Sequence, residues 1–267
     1  MKENDMSKTV YYSDELTDEF SGFAPKNYFI SPDYPYIHRN VLYRFFTFLA
    51  YRLVLTPIAF FHSVFSMHQR FVNRKVLRPF KRKGYFVYGN HTSHLGGGFT
   101  PSMAFFPKRV YIIVNSDNVA VKGFSTLFKM GGALPLPSTL EGMPNFLNAM
   151  EKRLLQGHVI CVYPEAHIWP YYTKIRPFKA VSFKYPVKYG VPVFCFTDCY
   201  KKRRFGNKPR TVTYIDGPFY VNKKLPLSEQ HQDLHDRVYQ VMVERAKRES
   251  DYAIINYVKK EEKKSHD

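Results

Sequence analysis

Short apolar runs, each stopped by glycine, proline or asparagine, recur through the middle of the chain. Tyr85 to Tyr88, halted by Gly89-Asn90, reads as a buried strand that delivers a loop. Val110 to Val114, Leu134 to Leu136, Val159 to Tyr163, Val191 to Phe196 and Thr211 to Ile215 repeat that signal. Helical spacing falls between or after them, over Gly123 to Met130, Met143 to Gln156 and Leu227 to Ser250. In the second of these, Phe146, Leu147, Met150 and Leu154 share a face, Pro144 suits a first turn and Gly157 a stop. Strands alternating with helices predict an α/β fold with a mixed, largely parallel central sheet flanked by helices.

Before this region lies the most lipid-like stretch, Val41 to Met67, broken by Arg44 and Arg52 and by Pro57. The run from Arg52 to Gln69 falls short of the ~20 apolar residues that span a hydrocarbon layer. The segment is therefore expected to be an amphipathic helix, buried against the core or a partner, or lying on a membrane; the basic residues around it favour the membrane. Residues 1–40, with Pro25, Pro32 and Pro35, are expected to form an irregular arm. Residues 41–250 are expected to form one domain, and residues 251–267 a charged, frayed tail.

Composition narrows the partners. The 267 residues carry 40 Lys and Arg against 22 Asp and Glu, a net charge of +18, so an anionic partner is implied. Nucleic acid and an acidic lipid surface both qualify by charge, but the aromatics fall in apparent strands and the amphipathic segment rather than in a repeated basic-aromatic pattern. No nucleic-acid partner is expected. Cys161, Cys195 and Cys199 are too few for a disulfide scaffold, which favours a reducing compartment, and no secretory signal opens the chain.

His91 has the best setting for chemistry, after a buried strand and before Gly96, Gly97 and Gly98, where sheet proteins bind ligands. Glu165 follows another strand and Pro164; it can pair with a base or simply cap turn amides. His94 and His167 are possible auxiliaries, and with His91 they lack a carboxylate or thiolate to complete a metal set, so no metal is expected. Lys174, Arg176 and Lys179 follow the Glu165 loop and form a cluster suited to phosphate, or an ordinary solvated face.

In order, GNHTSHLGGGF (89–99), GGALPLPST (131–139), VYPEAHIWP (162–170) and YGVPVFCF (189–196) resemble the four motif blocks of glycerolipid acyltransferases, the lysophosphatidate acyltransferase (1-acyl-sn-glycerol-3-phosphate acyltransferase) family. The resemblance implies transfer of a fatty acyl group from acyl-CoA or acyl-carrier protein to a hydroxyl of a lysophospholipid. It implies no cofactor, with catalytic His91 as general base and Glu165 as the acid of the Pro-Glu-Gly block. Lys129, Lys174, Arg176 and Lys179 are then expected to hold acceptor phosphate, and amides near Gly96, Gly97, Gly98, Gly131 and Gly132 to face the oxyanion. The expected location is the cytoplasmic face of a membrane, peripheral or monotopic, against anionic lipid. Two departures stand out: Gly96 occupies the position of the family's orienting aspartate, and Ala166-His167-Ile168 replaces Gly-Thr-Arg. They leave open an alternative, an impaired relative that binds lipid or a protein partner without turnover.

Overall fold

The computed structural model describes residues 8–20, 22, 28–93, 95–119 and 125–260. Its strands are β1 (Lys8–Tyr12), β2 (Arg70–Val72), β3 (Tyr85–Gly89), β4 (Val110–Val114), β5 (Ala133–Pro135), β6 (Val159–Val162), β7 (Val193–Lys201), β8 (Arg210–Phe219) and β9 (Ile255–Lys259). Helices are α1 (Val41–Leu49), α2 (Thr56–Phe61), α3 (Gly96–Ala104), α4 (Ser125–Gly131), α5 (Met143–Leu155), α6 (Lys184–Tyr189) and α7 (Leu227–Glu249). The main sheet has the order β2-β8-β7-β3-β6-β4-β5 and is parallel except between β7 and β8. This is the mixed α/β architecture that the alternating pattern predicts.

β3 is the central strand and is buried on both faces, which explains its unbroken apolar run. Side chains alternate across a strand. Phe86 and Tyr88 therefore enter the core shared with α5 and α7, while Tyr85 and Val87 enter the opposite core with Phe80, Phe105 and Phe194. Each such burial contributes about 1.5–3 kcal/mol. α5 covers its side of the sheet through Phe146, Ala149, Met150 and Leu154, and α7 through Leu234, Val238, Met242 and Ala246.

Three departures from the sequence reading have physical causes. β7 runs five residues past Phe196 because antiparallel β8 keeps pairing with it to Lys201. α3 forms from GGGFTPSMA despite three glycines and a proline, poor helix formers. Burial of Thr100, Met103 and Ala104 and packing against α2 override that propensity. Finally, the segment read as an irregular arm contributes β1, which pairs in parallel with β9 from the segment read as tail. Ile30 and Tyr36 of the same arm lie in the main core.

Val41–Ser66 is one helical run of 26 residues, about 39 Å at 1.5 Å per residue, long and apolar enough to cross a membrane by length and composition. Pro57 does not end the run: α-helical bonding restarts over Thr56–Phe61 with Pro57 in its first turn, after Ala50–Leu55 has closed with wider π turns, and His62–Ser66 closes with them again. Arg52 snorkels back to the Pro107 carbonyl at 2.6 Å. The helix is inside-out for a soluble protein: Thr47, Tyr51, Ala59 and Ser63 face the domain, whereas Phe45, Phe46, Leu53, Phe61 and Phe65 face outward, each more than half exposed. A single apolar helix of this kind suggests peripheral or monotopic membrane association.

Candidate active site

The strand order brings three loops together. β3 lies between β7 and β6 and runs parallel to both, so His91 after β3, Glu165 after β6 and Asp198 late in β7 gather at one carboxyl edge. His91 is half-buried, and its ring stacks on Tyr163 at 4.3 Å with an interplanar angle of 20°.

The backbone beneath the imidazole is tied on every side. Asn90 Nδ2 donates to the Asp198 carbonyl at 3.0 Å while the Asp198 amide donates to Asn90 Oδ1 at 2.8 Å, so the Asn90 side chain prolongs the β3–β7 ladder. The His91 amide donates to Glu165 Oε2 at 3.1 Å, and the His91 carbonyl accepts from the Trp169 amide at 3.1 Å. The Thr92 carbonyl accepts from the Tyr171 amide at 2.9 Å, and the Tyr200 hydroxyl donates to Thr92 Oγ1 at 2.8 Å.

Glu165 is enclosed, with no side-chain exposure. Besides the His91 amide it accepts the Arg176 amide at 3.1 Å and the Arg176 guanidinium at 3.3 Å. Arg176 is also wholly enclosed, bonded to the carbonyls of Glu15 and His167 and stacked over Trp169 at 4.9 Å. The guanidinium read from sequence as a phosphate ligand thus braces the Glu165 loop instead of meeting solvent. Ala166 holds φ +63°, the left-handed region that glycine favours.

Other predicted residues are dispersed. Lys174 and Lys179 are exposed, and Lys129 lies 5.5 Å from the Tyr34 ring. Gly131 and Gly132 precede β5, three strands from β3 and roughly 14 Å away laterally at ~4.8 Å per strand. They are on the amino side of β5, away from the His91 edge. The amides of Gly96, Gly97, Gly98 and Gly132 donate within the chain, to Ser93 Oγ and to the Ser93, Leu95 and Lys129 carbonyls. His167 Nδ1 lies 3.0 Å from Glu19 Oε2. His94 falls outside the described residues.

The glycines have a steric role. A Cβ on Gly97 would sit 2.8 Å from His91 Cε1, so only glycine lets the first turn of α3 approach the imidazole. A Cβ on Gly96 would sit 2.6 Å from Ser93 Oγ and 3.2 Å from Met67 Cε; an aspartate there requires Ser93 to move.

The sequence reading missed Asn90, Tyr163, Tyr200 and Trp169 as supports, since nothing in a single sequence pairs residues this far apart along the chain. Burial pushes the Asp198 carboxyl up to about 6, against donation from Thr213 and Gln69. An unfolded aspartate titrates near ~3.9. Between those values the folded state holds the extra proton, so this group makes stability fall as pH rises from about 4 to about 6, by an order of 2 kcal/mol. Urea midpoints of Asp198→Asn are expected to lose that downward slope between pH 4 and 7; an unchanged slope refutes the assignment.

Residues 68–197, which include His91 and Glu165, match the Acyltransferase family model. Among solved structures the chain is similar to the 1-acyl-sn-glycerophosphate (LPA) acyltransferase PlsC from Thermotoga maritima, with a TM-score of 0.53 and 17% identity over 79% of this chain and 89% of that one. No curated protein matches the chain by sequence. Residues 68–197 thus match an acyltransferase-family model, within a fold similar at low identity to that of the PlsC structure.

Proposed function

We propose that the protein transfers a fatty acyl group from acyl-CoA or acyl-carrier protein to the free hydroxyl of a lysophospholipid such as lysophosphatidate, at the cytoplasmic face of a membrane. The observation that carries this reading is the placement of His91, a half-buried imidazole on a fully tied loop at the carboxyl edge of the sheet, inside the family-matched region. The outward apolar helix and the net charge of +18 support work at an anionic lipid surface.

In this mechanism neutral His91 takes the proton of the acceptor hydroxyl as its oxygen attacks the thioester carbonyl. The tetrahedral intermediate collapses to the ester, the C–S bond breaks, and the proton passes from His91 to the departing thiolate. No acyl-enzyme and no cofactor enter. Glu165 acts by positioning, since its carboxylate holds the His91 backbone and is closed to substrate.

The test is acyl transfer from labelled thioesters to lysophosphatidate in mixed micelles. His91→Ala is expected to lower kcat/KM about a hundredfold or more with the fold intact. Turnover that survives the substitution refutes the mechanism. A second reading, lipid or partner binding without turnover, is favoured by Gly96 at the orienting acid's position; it predicts silence with both donors but retained lipid binding.

A further inference from the structure

A cleft opens beside the His91 loop, between the last turn of the apolar helix and the loop joining β7 to β8. It is bounded by His62, Ser66, Ser93, Tyr200, Arg203 and Lys208 among others, and among the described residues no carboxylate lines it. Its volume of about 60 Å³ is several times the ~10–15 Å³ that one water requires, the scale of a phosphate's four oxygens.

Two cations serve it. Arg203 is fixed in plane, Nε donating to the Pro209 carbonyl at 2.9 Å and Nη2 to the Ser66 carbonyl at 2.7 Å, which leaves further N–H groups to offer. Lys208 is exposed, and none of the ion pairs among the described residues involves it. The residues expected from sequence to hold phosphate, Lys129, Lys174, Arg176 and Lys179, do not line the cleft. A single residue, Thr92, separates His91 from Ser93 on its wall. Ser66 ends the helix whose outer face is apolar, which puts the cleft at one end of that face.

We propose that this cleft binds the phosphate monoester of the acceptor lipid, with Lys208 and Arg203 as its cationic ligands and Ser93 as a hydroxyl donor. The proposal rests on the acyl-transfer reading for the acceptor's identity, but not for the anion site itself. Both cations lie beyond the family-matched region, which ends at residue 197.

The experiment compares Lys208→Ala, Lys208→Arg and the exposed control Lys188→Ala in the full chain. Binding of inorganic phosphate, glycerol 3-phosphate, coenzyme A and a short-chain lysophosphatidate is followed by calorimetry, and KM and kcat are measured in micelles. Lys208→Ala is expected to weaken lysophosphatidate and glycerol 3-phosphate binding about tenfold, with Lys208→Arg restoring most of it and Lys188→Ala matching the parent. KM for lysophosphatidate rises in parallel, while kcat and the donor KM hold. Unchanged lysophosphatidate binding in Lys208→Ala overturns the site even where turnover confirms the reaction. Weakened coenzyme A binding with unchanged lysophosphatidate binding overturns the acceptor assignment. Phosphate binding lost in Lys208→Ala by a protein without turnover upholds the site and sinks the acyl-transfer reading.

Discussion

Glu165→Ala is expected to destabilise the protein by about 3–5 kcal/mol and to abolish acyl transfer with it. The substitution strips the partner from a fully enclosed guanidinium and leaves Arg176 as an uncompensated buried charge, the costly way to break such a pair. It also orphans the amides of His91 and Arg176, each worth about 1–3 kcal/mol if no water replaces the carboxylate. Glu165→Gln separates charge from shape. The amide keeps one acceptor oxygen but pairs poorly with Arg176, so an intermediate loss is expected. Denaturant midpoints and single-turnover rates check this together. A Glu165→Ala protein that unfolds with the parent's midpoint shows that the ion pair does not hold the loop. Full activity in a destabilised variant shows that the His91 backbone needs no such support.

Much of the sheet was legible because β3, β6 and β7 are buried on both faces, and such strands write themselves as unbroken apolar runs. α5 was legible through its spacing and its Pro144 and Gly157 punctuation. β1 and β9 were not: five-residue strands with mixed exposure carry no distinctive pattern, and their partners lie at opposite ends of the chain. α3 was hidden by its own glycines, one of which, Gly97, lets the helix approach the imidazole rather than make a turn. For the site, sequence pointed to His91 and Glu165 because both follow strands. It misassigned the environment of Arg176, since a charge run looks solvated until tertiary structure closes over one member. Phosphate ligands were sought at Lys129 and next to Glu165 at Lys174, Arg176 and Lys179, whereas the cleft proposed above to bind phosphate is lined in part by a later loop brought back by the β7–β8 hairpin.

That distant closure is most concentrated at the chain's single tryptophan, and Trp169→Ala is expected to cost about 3–5 kcal/mol. Trp169 is fully buried between the two chain ends. Its ring stacks on Tyr257 of β9 at 4.9 Å, lies 4.8 Å from Tyr12 of β1, and its Nε1 donates to the Asp18 carbonyl at 2.8 Å. A two-stranded sheet is marginal in water by itself, so β1 and β9 depend on this aromatic cluster for their stability. Removing the indole therefore predicts a local effect inside the global one: amide exchange over Lys8–Tyr12 and Ile255–Lys259 accelerates far more than exchange in β3. Trp169→Phe keeps a ring but drops the bond to Asp18, and a smaller loss of about 1 kcal/mol is expected. Because the same loop carries Glu165 and the Trp169 amide that donates to His91, release of the termini also loosens the backbone under the imidazole. Terminal strands that stay protected in Trp169→Ala refute the aromatic clasp. Protected termini together with lost activity would place the effect in the loop alone.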